Sequence, residues 1–115
     1  MWGRFGAGRV YAYLPKSVIY GSDLLANKFY FKTGVWHQVF QELILNDPGL
    51  ANGVFRLWLD GRYIGEDANI LIRTVDGLKI NGLFFDVFFG GNDNSWAPPA
   101  DTYIEFSDFH IPGEW

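Results

Sequence analysis

Asp60-Gly61 stands between Leu57-Trp58-Leu59 and Arg62-Tyr63-Ile64, and this arrangement constrains the fold more than any other stretch. Asp-Gly flanked by aromatic and branched residues is the sequence form of a type I′ turn, whose left-handed backbone matches the twist of two antiparallel strands. Similar short runs, rich in β-branched and aromatic residues, occupy residues 9–14, 28–32, 35–45, 54–59, 62–64, 70–73, 78–89 and 103–111. Each reads as a strand. Thr33-Gly34, Asn46-Asp47-Pro48-Gly49 and a second Asp-Gly pair, Asp76-Gly77, punctuate them. Only residues 21–26 hint at a helical turn, and no segment sustains a helical period of apolar residues. The expected fold is all-β, an antiparallel β-sandwich or jelly roll, and 115 residues suit one such domain. The direct opening on Met1-Trp2, with no polar lead, points to a domain incomplete at its front.

Apolar residues make up 49% of the chain and charged residues 19%, which excludes a disordered chain. The formal net charge of −4 argues against nucleic acid or an anionic membrane surface as the partner, since both demand dense Lys and Arg. No run approaches the roughly 20 apolar residues of a membrane span, and MWGRFGAG has neither the charged nor the apolar region of a signal peptide. Without cysteine there is no disulfide framework and no thiolate metal site.

The stretch GRVYAYLP alternates. As a strand it turns Val10, Ala12 and Leu14 to one face and Arg9, Tyr11 and Tyr13 to the other. The first set is core-like. The second sets a cation beside two phenols at i and i+2, a spacing that suits two proton-transfer groups along a bound chain and equally suits an ordinary amphipathic surface.

Beyond that strand, the chain carries a Trp- and Gly-rich approach to Tyr-x-Tyr, then the step FKTGVW into a long strand ending in Leu45-Asn46. The Asp-Gly hairpin follows, and near the end come FFGG, SWAP and DTY. In this order, and over nearly the whole length, these elements resemble polysaccharide lyase family 14, the alginate and glucuronan lyase type. The resemblance implies a β-jelly-roll whose groove holds an acidic, uronate-containing polysaccharide and cleaves it by β-elimination. It implies Tyr11 and Tyr13 as the acid and base, no cofactor, and a secreted or extracellular setting. The family pattern also uses a lysine and a Ser-x-Arg, positions that would fall before residue 1, so this chain is expected to be the C-terminal part of a catalytic domain. A non-catalytic carbohydrate-binding jelly roll, or an inactive fragment of a lyase, is the alternative.

Four more residues are candidates for substrate contact. Arg9 shares the tyrosine face and Arg4 lies in the glycine-rich approach, so either suits a carboxylate. His37 opens a long strand as an alternative base, and Gln41 alternates with it as a hydrogen-bonding partner for sugar. Arg56 and Trp58 share a face of VFRLWL, a pairing that fits sugar stacking and outer-sheet packing equally. His37 and His110 are too few and too far apart for a histidine metal site. GGNDNS at 90–95 reads as an Asx-rich turn in preference to a calcium loop, so no metal is expected. FFDVFFGG reads as a strand buried on both faces, with Asp86 as its odd residue.

Overall fold

A computed structural model describes residues 6–113. Among these residues the chain is all-β, with two antiparallel sheets and a single short 3₁₀ turn, and it divides into two compact units after Lys79. Arg4 lies outside the described residues.

The first unit is a two-layer β-sandwich. Its smaller sheet pairs β1 (Val10–Ala12) with β2 (Ser22–Leu24), in the register Val10 to Leu24, Tyr11 to Asp23 and Ala12 to Ser22. Its larger sheet orders β3 (Val39–Ile44), β4 (Gly53–Leu59) and β5 (Arg62–Ile70). The Asp60-Gly61 hairpin forms as expected: both turn residues have positive φ, 53° and 75°, and Leu59 pairs with Arg62 across them. A non-glycine residue tolerates that backbone best when it is Asp or Asn, and the following position needs glycine. The strand expected at 62–64 runs on to Ile70, bent by a bulge opposite Leu57 and Trp58, while residues 71–73, expected as strand, lie outside it.

β4 alternates without exception: Gly53, Phe55, Leu57 and Leu59 are buried, while Val54, Arg56 and Trp58 are half-exposed. The buried set meets Leu25, Phe29 and Ile70 in the core, and Val10, Leu14, Leu24, Phe31, Ile64 and Ile72 pack around it. Each such side chain contributes on the order of 1.5–3 kcal/mol when removed from water. The predicted alternation of residues 10–14 therefore holds, with Val10, Ala12 and Leu14 turned inward and Tyr11 and Tyr13 outward.

One end of the sandwich is closed by Asn46, only 1% exposed. Its Nδ2 donates to the carbonyls of Asp47, Leu50 and Arg73 at 2.7–2.9 Å, and its Oδ1 accepts from the N–H groups of Ile72 and Arg73 at 2.9 Å. Its backbone carbonyl accepts from Arg73 Nε at 2.8 Å. The Asp47–Leu50 turn, expected from Asn-Asp-Pro-Gly, thus becomes part of a polar latch onto the segment that leaves β5.

Other expectations of the first unit fail as well. Residues 21–26 hold β2 in place of a helical turn, because pairing with β1 outweighs weak local preference. Residues 28–32 reduce to a bridge between Tyr30 and Ala7, flanked by Gly8 N–H to Phe29 O at 2.9 Å and Phe31 N–H to Gly6 O at 2.8 Å. Asp76-Gly77 makes a turn, Val75 to Leu78, but Gly77 lacks the positive φ of a type I′ hairpin and no strands flank it.

In the second unit, the runs at 78–89 and 103–111 are not strands. A strand exists only where a neighbouring strand accepts its hydrogen bonds, and aromatic content alone supplies none. Phe84 is 90% exposed and Phe88 77%, so the doubly buried strand read from FFDVFFGG is absent from this structure. Phe85 instead packs edge-on against Phe106 and Phe109, at centroid distances of 4.7 and 4.9 Å. Asp86 accepts the N–H of Val87, a local bond. Asp93 caps the 3₁₀ turn Asn94–Trp96 by accepting Ser95 N–H at 2.8 Å, the Asx turn expected of GGNDNS. Its contacts with Ser95, side chain and backbone, hold the Asp93 carboxyl below its ordinary pKa.

Candidate functional site

Tyr11 and Tyr13 project from the outward face of the small sheet, their rings edge-to-face at 5.4 Å. They do not stand alike. Gly21 N–H donates to the Tyr11 hydroxyl oxygen at 2.8 Å, fixing that phenol while leaving its own proton free to be given. Tyr13 is 76% exposed, against 47% for Tyr11. Its ring leans on Tyr11 and its hydroxyl faces solvent.

Gly21 permits this arrangement. A Cβ there would stand 2.8 Å from both the Ala12 carbonyl oxygen and Tyr11 Cε1, closer than packed carbons approach. Any side chain at position 21 would push the Tyr11 ring away. The glycine's role was invisible in the sequence, because the loop of residues 13–21 that returns β2 against β1 sets the contact.

Arg9 shares the tyrosine face and is bound by the Asp23 carboxylate. Asp23 sits opposite Tyr11 in the register, so a carboxylate flanks the phenol pair as well. Asp23 takes the Nη1 end of the guanidinium, so a substrate anion at Arg9 would meet its other donors beside a competing carboxylate. Cross-strand pairing created the ion pair, and nothing in the spacing of Arg9 and Asp23 announces it.

His37 belongs with the scaffold. Its Nε2 accepts Lys32 N–H at 2.9 Å and its Nδ1 is 2.8 Å from Asp60 Oδ2, which assigns the proton to Nδ1. Both nitrogens are committed, so the ring has no lone pair left for a substrate proton. Asp60 completes the join through Oδ1, which accepts Gln38 N–H at 2.8 Å, and through its own N–H to Gln38 O. These bonds, His37 first and Gln38 second, hold the Asp60 carboxyl below its ordinary pKa. Gln41 is exposed on edge strand β3, on the face shared with Leu57. Neither His37 nor Gln41 lies on the strands that carry the tyrosines.

The outward face of the large sheet holds Arg56 and Trp58. Across β3, β4 and β5 run two parallel rows. Phe40, Trp58 and Tyr63 pack ring to ring at 5.0 and 5.3 Å, and Glu42, Arg56 and Glu66 form a double ion pair at 2.7 and 2.9 Å. The two glutamates, Glu66 foremost, raise the Arg56 pKa, and they take its Nε and Nη1 donors. Packing is thus a sufficient account of this pair.

At the hairpin end of the same unit, Lys28, Tyr30, Arg62 and Tyr63 line an open cleft of about 460 Å³. The sequence reading passed over these residues, since Lys28 and Arg62 are 34 positions apart and only the hairpin unites them. Among the described residues no three His, Asp or Glu side chains converge as metal ligands, and no helix is long and apolar enough to cross a membrane.

No curated protein and no solved structure matches this chain. The family model of polysaccharide lyase 14 matches residues 1–109, which takes in the whole sandwich, the tyrosine strand and the aromatic second unit. The chain belongs to polysaccharide lyase family 14.

Proposed function

We propose that the domain cleaves an acidic, uronate-containing polysaccharide such as alginate or glucuronan by β-elimination, within a jelly-roll framework and an extracellular setting, with Tyr11 and Tyr13 as the proton-transfer pair. The observation that carries this reading is the pair itself: two phenols in ring contact on an exposed strand, one anchored through its oxygen and one free. In the elimination, one phenolate takes the proton from C5. The electron pair left behind forms the C4–C5 double bond as the C4–O4 bond breaks, and a phenol supplies the proton that O4 needs to depart. Phenols suit both transfers, because a group with a pKa near 10 is a competent acid and becomes a strong base once ionised. The carboxylate on C5 must be neutralised while charge builds there, and Arg9 is the cation on the same face.

The Arg9 and Asp23 ion pair favours a second reading, in which the face binds the polysaccharide without cleaving it. The test is ultraviolet absorbance of the unsaturated uronate product when the full chain is mixed with alginate or glucuronan. Product that disappears in Tyr13→Phe supports the lyase. Saturable binding without product supports the second reading, and neither product nor binding rejects both for these polymers.

A further inference from the structure

The cleft at the hairpin end brings two cations together without carboxylate partners. Among the described residues Lys28, Arg62, Lys16 and Lys32 form no ion pair, whereas Arg9, Arg56, Arg73 and Lys79 do, and of the unpaired four Lys28 and Arg62 line this cleft. Asp60 also lines the cleft, but its two oxygens are held by His37 and Gln38. Tyr30 and Tyr63 supply hydroxyls, and Phe29, Leu59 and Ile64 supply apolar wall. Partial desolvation, then the charge of Glu66, raises the Tyr63 pKa. Tyr63 also leans on Trp58, which stiffens that wall.

We propose that this cleft is a carboxylate-sugar binding site separate from the Tyr11 and Tyr13 face. A guanidinium fork and an ammonium engage one planar carboxylate, the two phenols meet ring hydroxyls, and the apolar wall takes the face of the pyranose. The volume of about 460 Å³ lies in the range of small-ligand sites. The choice of a sugar acid over other anions rests in part on the acidic-polysaccharide reading above. In that setting the site holds a unit of the polymer away from the reacting bond and sets how long the chain remains bound.

Isothermal titration of the full chain with a glucuronate trisaccharide, a neutral glucose trisaccharide and inorganic phosphate tests the site. The expected result is saturable binding of the glucuronate trisaccharide that falls at least about tenfold in Lys28→Ala/Arg62→Ala. Lys28→Arg should retain it, and raised salt should weaken it. Neutral trisaccharide and phosphate should bind at least about tenfold more weakly. Circular dichroism separates loss of the site from loss of the fold. Should the double alanine variant misfold, Lys28→Gln and Arg62→Gln singly replace it, each expected to weaken binding severalfold. Equal affinity in the folded variants overturns the cleft proposal and leaves the lyase reading standing. Equal affinity for phosphate or the neutral sugar overturns the assignment to sugar acids. If the unmodified chain binds no glucuronate trisaccharide, the cleft proposal falls, and product absorbance judges the lyase reading independently.

Discussion

Two outward faces of the sandwich carry the same kinds of residue and end in opposite chemical states. On the small sheet, Tyr11 and Tyr13 lie beside Arg9, and the Tyr13 hydroxyl is left to solvent. On the large sheet, Trp58 and Tyr63 lie beside Arg56, yet the rings fill one another's edges and two glutamates bind the guanidinium. Aromatics next to an arginine are therefore no mark of a binding face in themselves. What distinguishes the two is strand number. A third strand brings Glu42 and Phe40 within reach of Arg56 and Trp58, whereas the two-stranded sheet has only Asp23 to offer across the ladder.

That contrast breaks most plainly on activity. Removing a general acid or base costs about 10²–10⁴ in rate, so Tyr13→Phe should abolish product absorbance while thermal stability stays near the parent value. Arg56→Gln should do the reverse, leaving product formation intact and lowering the melting temperature slightly. If Arg56→Gln removed activity as thoroughly, the outward face of the large sheet would be the functional one.

A second test concerns the scaffold that presents both faces. Asn46→Ala unpairs the N–H groups of Ile72 and Arg73 and the carbonyls of Asp47 and Leu50. The carbonyls of exposed Asp47 and Leu50 can turn to water, whereas the half-buried N–H groups of Ile72 and Arg73 lose their acceptor at about 1–3 kcal/mol each, so a loss of roughly 3 kcal/mol is expected, and denaturant unfolding measures it. A loss below about 1 kcal/mol would mean that the latch closes only a frayed end.

Smaller effects sharpen the comparison further. Gly21→Ala should displace the Tyr11 ring and lower activity without unfolding the sheet, read as a shift of the Tyr11 ring resonances. Exposed ion pairs contribute little and are screened, so the melting-temperature difference between Arg56→Gln and the parent should shrink in about 1 M salt. The Asp60 carboxyl, held below its ordinary value near 3.9, stabilises the fold fully above that pH. Its contribution fades as pH falls through the lowered value. Asp60→Asn should therefore narrow the gap to the parent on acidification, and a gap that widens instead would refute the His37 and Gln38 bonds as its cause.

The sequence made the all-β class legible because Asp60-Gly61 and the period of two in β1 and β4 are local signals. It also placed Tyr11 and Tyr13 outward, from alternation alone. What it concealed depends on which strands meet. The Asp23 partner of Arg9, the Gly21 contact with Tyr11 and the convergence of Lys28 with Arg62 all follow from long-range register. His37 read as a spare base because its two partners, Lys32 and Asp60, come from different segments. The long aromatic runs at 78–89 and 103–111 misled for a related reason, since strand propensity says nothing about whether a pairing edge is at hand.

The Asn46 latch has a kinetic consequence. Its bonds span 26 and 27 residues and can close only after both β3–β4 and β4–β5 have paired, whereas the Asp60-Gly61 turn joins immediate neighbours. Contacts that must wait for prior loop closure form late. Asn46→Ala should then speed unfolding and leave the refolding rate nearly unchanged, a φ-value near zero. The end of the sandwich farthest from its tightest turn would be the first to open, setting how long each molecule stays folded and having little say in how quickly it becomes so.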